Sequence, residues 1–165
     1  QGRYEEAAPL YDRVLIIYEK TLGKEHPWVA TALNNRAGLL SKQGRYAEAD
    51  PLYQRALAIN EKVLGPDHSN VASGLNNRAG LYAEAEPLYK RSLAIREKAL
   101  GPEHLAVATA LNNRAGLLKT QGRYEEAAPL YDRVLIICEK TLGKEHPWVA
   151  TALNNRAELL SKQVR

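Results

Sequence analysis

Four Asn-Asn-Arg triplets, at residues 34–36, 76–78, 112–114 and 154–156, are the groups in this 165-residue chain best suited to chemistry. An asparagine amide offers donor and acceptor together, so it can bond both the N–H and the C=O of an extended peptide. Asparagine is also a mediocre helix former, so its repeated use inside a helical stretch points to a job for the side chain. Adjacent helical residues project about 100° apart, so one amide of each pair can face a ligand while the next faces a neighbouring helix. That chemistry is recognition. The chain has no phosphate-cradling glycine loop, no HExxH, no paired cysteines and no Ser elbow. His26, His68, His104 and His146 stand one per Gly-x-x-His linker. Neighbouring repeats would hold them on the order of 10 Å apart, too far to share an ion through bonds of about 2 Å. Loop capping is their expected role. Cys138 occupies the place that Tyr18 takes in a matching segment, which marks a packing position. No catalytic residue, metal or cofactor is expected, and the chain does not read as an enzyme.

Composition narrows the classes further. Apolar residues make up 45% and charged residues 25%, so a folded chain is expected and disorder is not. The net charge of +4 is spread over every stretch, which gives little reason to expect nucleic acid. Tyr11, Tyr53, Tyr89 and Tyr131 fall at packing positions and offer no stacking surface. No apolar run is long enough to span a bilayer and no signal peptide is visible, so a cytoplasmic location is the expectation. One cysteine cannot close an intrachain disulfide, which agrees with a reducing compartment. The absence of methionine predicts an excerpt of a longer protein, or a processed or engineered product.

The elements that must position these residues recur. Gly23, Gly65, Gly101 and Gly143 align, as do Asn34, Asn76, Asn112 and Asn154, and Leu10, Leu52, Leu88 and Leu130; each series steps by 42, then 36, then 42. Within a period, Val29, Leu33, Arg36, Ala37 and Leu40 recur at spacings of three and four, and so do Ala49, Tyr53, Ala56, Leu57, Asn60 and Val63. Each set is the stripe of an amphipathic helix. Pro27 suits a first helical turn, Gly44 a reversal, and Gly65 with Pro66 a stop. A single helix pair buries too little to fold alone, so the pairs must stack into a solenoid.

LNNxAGLL followed by QGRYxEAxPLYxRxLxIxEKxLGxxHP resembles the 42-residue tetratricopeptide repeat of kinesin light chain and its relatives, over essentially the whole chain. The resemblance implies an all-α, right-handed helical solenoid forming a single array over residues 1–165. It would comprise a half repeat at 1–22, repeats at 27–64, 69–100 and 105–142, and a half repeat at 147–163. The first helix of each pair would line a concave groove that holds peptide. In that frame Asn34, Asn76, Asn112 and Asn154 contact peptide backbone, and the Asn35 series makes a ladder between repeats. Thr31 and Thr109, with Ser73 and Thr151, join them one turn earlier, and Gly38, Gly80 and Gly116 one turn later. Lys42, Lys119 and Lys162 make one rim basic, so an acidic or carboxylate-bearing peptide is the expected ligand; Glu158 weakens this at the last repeat. The chain departs from the family where Arg36, Arg78, Arg114 and Arg156 replace a usual apolar residue. They read either as a structural ladder, with Glu6, Glu48, Glu84 and Glu126 as partners, or as guanidinium groups facing an acidic ligand.

The short step is an irregularity. LNNRAGLLSKQGRYAEADPLY becomes LNNRAGLYAEAEPLY at 75–89, losing six residues and the turn glycine. Either one helix of about 30 residues, on the order of 45 Å, runs through 69–99, or a shortened hairpin turns at 80–83, which Pro87 favours. A fused helix would divide the chain into lobes 1–81 and 82–165 and invite two chains to exchange halves as a dimer. Residues 121–162 repeat 1–42 with two changes, Tyr18 to Cys138 and Gly38 to Glu158. The initial second helix and the terminal first helix each lack a partner, so end-to-end oligomers are the other expected assembly.

Overall fold

A computed structural model describes residues 3–81 and 85–163. Among the described residues there are eight helices: α1 (Tyr4–Leu22), α2 (Pro27–Lys42), α3 (Tyr46–Leu64), α4 (Ser69–Ala79), α5 (Glu86–Leu100), α6 (Leu105–Thr120), α7 (Tyr124–Leu142) and α8 (Pro147–Gln163). They fall into two compact units, Gln1–Tyr82 and Ala83–Arg165. In the first, α2 packs between α1 and α3, and α4 follows against α3; in the second, α5 packs on α6, α6 on α7 and α7 on α8. This pairing of sequence neighbours is that of an all-α helical solenoid.

Each first helix starts the same way. The imidazole Nδ1 of His26 accepts the backbone N–H of Trp28 at 3.2 Å, and His68, His104 and His146 accept from Asn70, Ala106 and Trp148 at 3.1 Å each. The histidines of the linkers are therefore N-caps, each satisfying a donor that the helix leaves open. His104→Ala should lower the stability of its helix pair by about 1 kcal/mol, with His104→Asn retaining most of it; thermal unfolding of the two variants beside the parent checks this.

Reversals within the hairpins use glycine. Gly44 has φ +74° and Gly122 φ +75°. The N–H of Arg45 bonds Leu40 O and that of Arg123 bonds Leu118 O, both at 2.9 Å, closing a left-handed helix stop. Between α4 and α5 this glycine is among the missing residues. Here α4 ends instead at Ala79, with Gly80 right-handed at φ −63° and the N–H of Leu81 bonding Arg78 O in a tightened last turn. The continuous helix through 69–99 is thus not formed. Pro87 lies in the first turn of α5, where its lack of an N–H costs nothing, whereas a helix entering from α4 would lose a bond there. Residues 82–84, where part of that helix or of the alternative turn would fall, lie outside the described residues.

The cores repeat with the sequence. In the first unit Val29, Ala30 and Leu33 of α2 pack on Ala56 and Ile59 of α3, and Ala37 and Leu40 on Ala49, Tyr53 and Leu81. In the second, Val107, Ala108 and Leu111 of α6 meet Val134, Ile137 and Cys138 of α7 with Leu93, Val149 and Ala152; Ala115 and Leu118 meet Ala127, Tyr131 and Leu159. A Cβ added at Gly38 or Gly116 would meet the Tyr53 or Tyr131 hydroxyl at 3.6 or 3.9 Å. These glycines face their own hairpin partner, which corrects their expected place in the groove.

Candidate functional site

In the second unit the face lined by α6 and α8 carries an open cavity of about 240 Å³. Its walls include Thr109 and Asn112 of α6, Cys138 of α7, and Trp148 and Thr151 of α8. Asn112 is held there by Asn155, whose Nδ2 donates to Asn112 Oδ1 at 2.9 Å. The first amide of one triplet thus meets the second amide of the next across adjacent first helices. Asn112 keeps its own NH2 for other partners, since the bond uses only its carbonyl oxygen. Thr109 and Thr151 donate back to Leu105 O at 3.1 Å and Pro147 O at 3.2 Å, which leaves their hydroxyl oxygens as acceptors. Asn154 is exposed on α8.

The first unit carries the matching residues on α2 and α4. Thr31 donates to Pro27 O at 3.2 Å. Asn34 is part-buried, with its Oδ1 enclosed and unbonded among the described residues. Asn76 lies part-exposed on α4, and Lys42 is exposed at the end of α2. Lys119, by contrast, is drawn into an ion pair with Glu158 at 2.9 Å. The exchange of glycine for Glu158 in the repeated segment therefore neutralises one cation of the expected basic rim.

The arginines form a ladder, but not with the expected partners. Arg36 Nε donates to Asp12 at 2.7 Å, Arg78 Nε to Asp50 at 2.6 Å, and Arg114 Nη2 to Glu86 at 3.0 Å; Arg156 pairs with Asp132. Each carboxylate comes from the second helix of the preceding repeat. Glu6, Glu48 and Glu126 instead pair three residues back with Arg3, Arg45 and Arg123, and Glu84 lies outside the described residues. The acid stands either just before the helix proline (Asp50, Glu86) or four residues later (Asp12, Asp132), one turn apart on the same face. Glu86 is the most loaded of them, also meeting Lys90 at 2.9 Å and Arg123 at 2.7 Å. Hydrogen bonds from Arg123 and Lys90, then Arg114, hold its carboxyl at about 2 against the opposing effect of burial.

Sequence reasoning missed Trp148 and Cys138 as walls of the cavity. The signal was the exchange of Tyr18 for Cys138. In the first copy the Tyr18 ring lies 5.7 Å from that of Trp28, a tilted contact. In the second, the small thiol leaves room beside Trp148. Burial raises the Cys138 pKa and so disfavours the thiolate, in keeping with a wall residue. Burial also raises the hydroxyl pKa of Tyr53, Tyr89 and Tyr131, which are packing residues.

The tetratricopeptide repeat pattern matches residues 1–62, 28–83, 74–135 and 107–163, together nearly the whole chain. The chain belongs to the tetratricopeptide repeat family. Among solved structures, this array is similar to the nearly identical TPR-like repeats of a chain described as a kinesin light chain of Podosopora anserina. Two crystal structures of it, one a point variant, are 28% identical; each covers 98% of this chain and 79% or 80% of its own, with TM-scores of 0.83 and 0.81. BtubC (BKLC) from P. vanneervenii shares the fold at 23% identity, covering 98% of this chain and 67% of its own, with a TM-score of 0.84. No curated protein matches. The array is thus similar to kinesin light chain-type repeats, and a tetratricopeptide repeat fold has the capacity to hold a protein or peptide partner. No helix among the described residues is long and apolar enough to cross a membrane.

Proposed function

We propose that this tetratricopeptide array holds an extended, acidic peptide against the face lined by its first helices. The observation that carries the reading is the cavity bounded by Asn112, Thr109, Thr151 and Trp148, where an anchored amide stands beside an opening lined by apolar groups. An amide held by its neighbour is pre-organised to bond peptide backbone, and the adjoining space accepts a side chain. Exposed Lys42, with no carboxylate partner among the described residues, and the net charge of +4 favour acidic side chains. The arginine ladder contributes little to that preference, because its guanidinium groups already bond carboxylates.

Capture of an acidic peptide library by the Asn34→Ala, Asn112→Ala double variant should fall about tenfold, the cost of one or two hydrogen bonds, with helical circular dichroism unchanged. Undiminished capture would refute the amide contacts. A second reading is a self-assembling array forming homodimers or higher oligomers; the apolar residues of α1 and α8 that no helix of this chain covers are where further repeats or a second copy would pack. Exchange of halves would need another basis than a fused helix, since α4 and α5 are separate.

A further inference from the structure

The geometry points to a carboxamide subsite in the first unit, where α2, α3 and α4 hold the side chain of a glutamine or asparagine of the bound peptide. The inference rests on the peptide reading above and adds which residue one place on the ligand face selects.

That place is the first unit's counterpart of the cavity at Cys138. Helices α2, α3 and α4 align with α6, α7 and α8 one long and one short period later, so every wall position of the cavity has an equivalent. The walls from α6 are unchanged, with Ala30, Thr31 and Asn34 standing for Ala108, Thr109 and Asn112. The walls from α7 and α8 all differ. Ala56 and Asn60 stand for Val134 and Cys138, and Asn70, Ser73 and Gly74 for Trp148, Thr151 and Ala152. Each exchange gives a smaller or a more polar side chain. Between α4 and the aligned part of α8 the one remaining difference is Ser69 against Pro147, so the changes there concentrate on the walls.

Two unbonded acceptors say what the place takes. Asn60 is 3% exposed, and its Oδ1 is enclosed without a hydrogen-bond partner among the described residues. The Oδ1 of Asn34 is enclosed and unbonded as well, although the matching oxygen of Asn112 accepts from Asn155. A buried carbonyl oxygen without a donor is costly, so two of them at walls of one place call for a group that brings two N–H bonds. The NH2 of a primary carboxamide is such a group. A carboxylate only accepts and is repelled there. An ammonium would lose its hydration with no carboxylate at any of the wall positions to replace it, and an apolar side chain would leave both oxygens unserved. Asn70 and Ser73 are exposed, and their NH2 and hydroxyl can donate to the carbonyl oxygen of the ligand's amide. Exposed side chains turn within nanoseconds, so the rim opens without movement of the helices. Within an otherwise acidic peptide, the subsite distinguishes glutamine from glutamate.

Capture by the whole chain of two acidic peptide libraries, alike except that the fixed central residue is glutamine in one and glutamate in the other, tests this. The expected result is about tenfold stronger capture of the glutamine library, the worth of one or two hydrogen bonds. Asn60→Leu should abolish that preference and leave capture of the glutamate library unchanged. A second readout serves should Asn60→Leu fail to fold: in the ¹⁵N-labelled parent, the side-chain amide of Asn60 should shift with a glutamine peptide and stay in place with its glutamate twin. Equal capture of both libraries, a glutamine preference that survives Asn60→Leu, or an Asn60 amide indifferent to the glutamine peptide would overturn the subsite alone, leaving water to serve the two oxygens. Capture of neither library would overturn the peptide reading and the subsite together.

Discussion

Leu111→Ala should destabilise the second unit by about 3 kcal/mol, whereas Leu153→Ala should cost the monomer well under 1 kcal/mol. Both leucines sit in the same eight-residue sequence, ATALNNRA, 42 positions apart. Local helix propensity and the intrahelical neighbours are therefore the same, and only the tertiary partner differs. Leu111 is fully buried among Val134, Ile137 and Cys138 of α7, so truncation removes its transfer free energy and leaves a void. Leu153 projects from α8, where no helix of this chain covers it, and is 48% exposed. Denaturant unfolding at low micromolar concentration compares the two directly. Equal losses would mean that the α6–α7 contact does not carry the energy assigned to it.

Glu86→Gln should destabilise the chain by about 2 kcal/mol at pH 7, because it leaves Arg114 without its carboxylate in a part-buried setting and removes one of the two that Arg123 holds. The pH dependence fixes the cause. The carboxyl is held at about 2 in the folded state against about 4.3 in an unfolded chain. A depressed carboxyl contributes stability that is fully present above the unfolded value and is lost as pH falls through the folded one. The gap between parent and variant should therefore stay constant above pH 5 and narrow from pH 4 towards pH 2. Asp12→Asn, which breaks the more exposed pair with Arg36, should cost about 0.5 kcal/mol. A Glu86→Gln penalty independent of pH down to 2 would show that shape, and not charge, holds the site.

The repeat pattern made the all-α solenoid legible because each helix declares its buried stripe within its own sequence. Val29, Leu33, Ala37 and Leu40 recur at helical spacing, and all four are buried. The histidine caps were equally local, since the acceptor and the N–H it holds are two residues apart. Contacts between repeats were less legible. The arginine partners lie 24 or 28 residues upstream, and nothing in the chain near Arg36 distinguishes Asp12 from the closer Glu48. The clue was an acid at one of two positions a turn apart in every second helix. The groove glycines failed for a related reason: helical periodicity shows which residues share a face, but not which neighbour that face meets, and Gly38 turned out to meet Tyr53. The cavity at Cys138 required knowing that Tyr18 packs against Trp28, a contact visible only once the helices are in place.

The central claim is that the first-helix face holds peptide. Titration of the ¹⁵N-labelled chain with a captured acidic peptide, followed by amide chemical shifts, tests it most directly. Saturable shifts are expected at Thr109, Asn112, the Trp148 indole and Thr151, with the side-chain amide of Asn112 among the largest. Shifts confined to outward residues such as Ile136, or no shifts at millimolar peptide, would contradict it.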